Sequence, residues 1–195
     1  TLKRELAEGM MNPACAHALE AALQIKNQHK GEITAITMGP PQAEAVLREA
    51  IAMAPEQHLS WSNLGDVLFV AGRQAEAREA YATAKALVEK QLAVNPGDPG
   101  MQMDHAWIHA MLGEREEALL EITRALAAAP DDPYASYYEG LVYHRFGETE
   151  LALAALERAV AKGYSKIILK TEPLLGDLSE NPRFVQITTT NDEGR

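Results

Sequence analysis

The pattern of apolar, small and polar positions between residues 61 and 162 occurs three times. Trp61, Leu64, Gly65, Gly72, Ala77, Tyr81 and Ala84 recur in weaker form as Ala106, Gly113, Ala118, Ile122 and Ala125. They recur again as Gly140, Tyr143, Gly147, Ala152, Leu156 and Ala159. Each copy predicts helix, turn, helix. Asp98-Pro99 and Asp132-Pro133 place a capping carboxylate before a proline at the first helical position, where the missing N–H costs nothing. Gly72, Gly113 and Gly147 stand where a helix stops in a left-handed conformation, and Pro96 and Pro130 close the second helices. Glycines and alanines at the paired positions let helices approach closely, while Trp61, Tyr81, Tyr143 and Leu156 fill the space between them.

The period is 34 residues from Gly113 to Gly147 but 41 from Gly72 to Gly113. Seven extra residues are about two helical turns, so they lengthen a helix by roughly 10 Å and leave its apolar stripe within about 20° of the same face. A single long helix from Gln74 to Val94 accommodates them.

This residue set resembles the tetratricopeptide repeat. The resemblance implies a helical superhelix that presents a concave face to a partner. Carried onto these repeats, the family's inner-face positions are Leu59, Ser62, Asp66, Phe69 and Val70, then Met103, Trp107, Ala110 and Met111, then Tyr134, Tyr137, Leu141, His144 and Arg145. Repeats that clamp an acidic carboxyl terminus use Lys and Asn there, and this chain offers neither. The groove is therefore expected to prefer an apolar or helical segment, with Arg145 available for a carboxylate. The competing account buries Met103, Trp107 and Met111 beneath the amino-terminal part or a second copy of the chain.

The first 54 residues read differently. Ala14 to His29 is a helical stretch opened by Asn12-Pro13, and residues 31–38 form a short β-branched alternating run ending in Gly39-Pro40-Pro41. Helical periodicity resumes from Gln42 to Ala54. Helix, strand, helix belongs to an open α/β sheet. Met11-Asn12-Pro13-Ala14-Cys15, Ala18 to Leu23, Met38 to Glu44 and Leu47 to Met53 resemble an interior stretch of the electron transfer flavoprotein beta subunit. In that family the Asn-Pro-x-Cys turn and the end of the following strand lie against adenosine monophosphate. The resemblance thus implies nucleotide contacts at Asn12, Pro13, Ala14, Cys15 and Met38. The family's later phosphate-wrapping segment belongs after Met53, where this chain turns to repeats instead. Packing of the segment as a helical cap on the first repeat is the alternative.

Composition narrows the partner. The net charge of −10 argues against nucleic acid or an anionic membrane surface, both of which need clustered Lys and Arg. Cys15 is the lone cysteine, which suits a reducing, cytoplasmic setting. No catalytic set emerges. His105 and His109 share a helix face, but Ala106 stands where a zinc protease carries its Glu, and no third ligand is evident.

The sequence therefore predicts a mainly α chain. It reads as a helix-strand-helix segment over 1–54, three repeats over 56–163 (58–96, 99–131 and 133–163), and a cap with a polar tail over 164–195. Asn181-Pro182 is expected to start a short helix that sets Phe184, Val185 and Ile187 against the last repeat. The expected function is a non-catalytic scaffold binding a protein or peptide, without metal or cofactor. Adenosine monophosphate binding in electron transfer is the alternative.

Overall fold

The computed structural model describes residues 43–189, and every regular element among them is helical. The elements are α1 (Ala43–Met53), α2 (His58–Val70), α3 (Gln74–Val94), α4 (Pro99–Leu112), α5 (Arg115–Ala128), α6 (Pro133–Arg145), α7 (Thr149–Ala161), α8 (Lys166–Lys170), a 3-10 turn η1 (Pro173–Leu178) and α9 (Pro182–Thr188). The expected helix at 14–29 and strand at 31–38 lie outside the described residues. The chain divides into two compact units, Thr1–Leu87 and Val88–Arg195, with the division falling inside α3.

In the first unit α1 packs on α2, burying Leu47, Ala50 and Ile51. Arg73, in the turn after α2, reaches back to Glu44 of α1 and forward to Glu76 of α3. Arg48 pairs with Glu44 as well, so two guanidinium groups and two carboxylates hold that corner. Between α2 and α3 the contact is made by Gly65. A Cβ there would lie 2.6 Å from the ring of Tyr81, whose hydroxyl donates to Asp66 at 2.6 Å.

The second unit contains two further helix pairs, α4 with α5 and α6 with α7. Their starts follow from the Asp-Pro pairs: Asp98 accepts from the Met101 N–H and Asp132 from the Tyr134 N–H. The chain leaves α4 through Gly113 at φ 84, a left-handed conformation that costs glycine nothing and other residues roughly 1 kcal/mol. Gly140 repeats the device of Gly65, since a Cβ there would lie 2.6 Å from Leu156 Cδ2. Successive pairs are tied by Arg115 to Glu148 and by Tyr138, whose hydroxyl donates to Asp104 at 2.9 Å.

After α7 the chain closes the second unit. Ser165 caps α8, Glu172 caps η1, and Asn181 caps α9 by accepting from both Arg183 N and Phe184 N. Phe184 and Ile187 are buried as expected, but Val185 is 45% exposed. On a helix of seven residues only one face can meet α7 and α8, and Phe184 and Ile187, three apart, occupy it. Arg183 grips α7 through Glu150 and Glu157.

Candidate functional site

Asp132 ends an extended approach and starts α6, which puts Tyr134 in the first turn and Tyr137 and Tyr138 one turn on, along the same face. Tyr134 is 54% exposed, and its ring stands edge-on to that of Tyr164 with centroids 5.3 Å apart. Tyr164 in turn lies nearly parallel to Tyr137 at 4.4 Å, and Tyr137 meets Tyr138 edge-on at 5.6 Å. Four tyrosines thus form one continuous ledge. Such pairs add about 0.5–1.5 kcal/mol each beyond the area they bury.

The ledge is bordered by carboxylates. Glu172 accepts from the Tyr137 hydroxyl at 2.8 Å and from the Leu174 N–H, and Asp104 accepts from Tyr138. Burial first, and the Glu172 charge second, push the Tyr137 phenol well above its ordinary range. Burial likewise raises Tyr164 to about 12. Both therefore stay neutral at physiological pH. At the far end of α6, His144 Nε2 stands 3.0 Å from Asp177 of η1, beside a half-buried Arg145.

Apart from Val70, which is 55% exposed, the other inner-face positions are less open. Met103, Trp107 and Met111 of α4 are 7%, 5% and 7% exposed, and Leu141 of α6 is buried too. A ligand could reach those four only if the chain around them moved. In the first unit Ser62 is buried, Phe69 is half-buried, and Asp66 is engaged by Tyr81. The exposed aromatic surface among these positions is thus at Tyr134. Asn12, Pro13, Ala14, Cys15 and Met38 lie outside the described residues.

Sequence reasoning missed Tyr138, Tyr164 and Glu172. Tyr138 carried a usable signal, being four residues from Tyr134 on a predicted helix. Tyr164 and Glu172 carried none, because they lie beyond the third repeat and reach α6 only through the closing turn. His105 and His109, read as helix-packing residues, are buried with ring centroids 4.1 Å apart, and His109 Nδ1 meets Glu114. Among the described residues no group of three or more His, Cys, Asp or Glu side chains could hold a metal ion. No helix among them is long and apolar enough to cross a membrane.

Two family models match the chain in succession. Residues 103–165 match the Tetratricopeptide repeat model, and residues 1–96 match the Electron transfer flavoprotein domain model. The two matches follow one another without overlap, and the flavoprotein match runs past residue 54 through the α2–α3 pair. Among curated proteins, it is 39% identical over 87 residues to the electron transfer flavoprotein subunit beta of Thermoanaerobacterium thermosaccharolyticum, covering 45% of this chain and 30% of that one. It is 48% identical over 58 residues to the caffeyl-CoA reductase-Etf complex subunit CarD of Acetobacterium woodii, covering 29% and 22%. The chain therefore spans less than a third of either relative. Among solved structures, MamA aligns over 92% of both chains at 14% identity with a TM-score of 0.40.

Proposed function

We propose that this chain is a non-catalytic scaffold that binds a protein or peptide segment through the inner side of its helix pairs, centred on α6. The observation that carries this reading is Tyr134. It is a large aromatic side chain left more than half exposed on a rigid helix, backed by Tyr164 and Tyr137, which is how an anchor residue for a partner is built. Aromatic rings held this way lose little conformational entropy on binding. The test is to select segments from a random peptide display on the full chain and map the binding surface by amide chemical shifts. Perturbations centred on α6 support the reading. Perturbations confined to residues outside the helix pairs contradict it.

A second reading is adenosine monophosphate binding by residues 1–54, and the flavoprotein-domain match over residues 1–96 favours it. A nucleotide at about 100 times its dissociation constant adds roughly 2.7 kcal/mol, or a few degrees of melting temperature for a chain of this size. A shift that disappears in Asn12→Ala supports this reading, and an unmoved melting curve contradicts it.

A further inference from the structure

We infer that the tyrosine ledge of α6 takes a basic segment, with a Lys or Arg side chain seated over the Tyr134 ring between the carboxylates of Asp132 and Glu172. This rests on the scaffold reading above and gives the partner its chemistry.

Three observations lead to it. First, Tyr134 is 54% exposed and makes no side-chain hydrogen bond among the described residues, and the face of a tyrosine is where a cation is attracted. Second, the carboxylates of Asp132 and Glu172, at the two ends of the ledge, pair with no Lys or Arg among the described residues. Among the described residues Glu172 is engaged by the Tyr137 hydroxyl and the Leu174 N–H, and Asp132 by the Tyr134 N–H. Asp131 is exposed beside them. Third, several nearby cations are committed elsewhere, while Lys170 is an exposed positive charge two residues before Glu172. Lys162 donates to Pro130 O and Ser136 Oγ, and Ser136, two residues from Tyr134, faces about 200° away around the helix. Lys166 donates to Thr189 O, and Arg145 lies eleven residues along α6, roughly 16 Å from Tyr134.

One opposing field must be weighed. The amino terminus of α6 carries a partial charge of about +0.5, which disfavours a cation. Asp131 and Asp132 together bring two negative charges to the same turn, so the local sign stays negative. The net charge of −10 acts in the same direction at longer range and should speed the approach of a basic segment.

The experiment measures binding of the full chain to a matched series of synthetic segments with the same apolar residues and either several lysines, several glutamates or neither. Affinity is expected to be highest for the lysine series and to weaken as salt is raised. Tyr134→Ala and Tyr134→Leu should each weaken binding about tenfold, as expected of an aromatic anchor, whereas Tyr134→Phe should keep it. Glu172→Gln keeps an acceptor for Tyr137 and should still reduce the preference for lysine. Equal affinity for all three series, or retention in Tyr134→Leu, overturns the cation assignment while leaving a scaffold that binds apolar segments. A lack of binding to every series overturns both.

Discussion

Gly140 has no side chain, and its absence sets how closely α6 approaches α7. The fully buried Leu156 occupies the place a Cβ would take, and the Ala152 carbonyl closes the site from the backbone at 3.3 Å. Neither neighbour has room to withdraw. Gly140→Ala is therefore expected to cost about 1–3 kcal/mol, read as a lower denaturant midpoint for the second unit. Tyr137→Phe should cost about 1 kcal/mol in the same assay, because it leaves Glu172 without the phenol donor but keeps the ring stack on Tyr164. The sequence pattern expected Gly65 and Gly140 to admit a close approach of helices and Tyr81 and Leu156 to fill the space, and within its own unit Gly65 meets Tyr81 and Gly140 meets Leu156. It also counted Trp61 and Tyr143 as filling residues, yet both are only half-buried. Trp61 holds its indole N–H toward the Pro55 carbonyl near the surface, a polar preference that an apolar pattern does not register.

At the scale of elements, boundaries were legible wherever a cap or a glycine marked them. Asp98-Pro99, Asp132-Pro133 and Asn181-Pro182 each start the helix expected of them, and the long helix spans Gln74–Val94. The stretch after Tyr164 was not legible. A five-residue helix such as α8 is too short to display a period, and η1 after it has a different one. Asn181→Ala should cost about 1 kcal/mol and free α9 first, since that side chain satisfies two of its N–H groups. Proteolysis at the carboxyl terminus would report it. The stacked tyrosines give the unit an alkaline limit. Tyr164 titrates near 12 when folded against about 10 when unfolded, so its contribution is present in full below pH 10. It is lost as the pH rises from 10 to 12. Stability against denaturant should fall over that window in step with the ultraviolet signal of tyrosinate, and Tyr164→Phe should flatten the fall.

At the scale of the whole molecule, the match to the Electron transfer flavoprotein domain model is followed along the chain by the match to the Tetratricopeptide repeat model. The repeats were legible because their period is written in glycines and alanines that recur at fixed spacing. The candidate site was legible only in outline. Its exposed anchor, Tyr134, was among the expected inner-face positions, whereas Met103, Trp107 and Met111, also expected there, are buried in the folded chain. A sequence position can assign a residue to a face but cannot say what later covers that face. The most direct test of the account is an equilibrium titration of the full chain with a display-selected segment, comparing the unaltered protein with Tyr134→Ala. Because Tyr134 is more than half exposed but pairs with Tyr164, the substitution should lower the melting temperature by no more than a few degrees and weaken binding about tenfold. Equal affinity in the two proteins would contradict the assignment of α6 as the partner-binding surface.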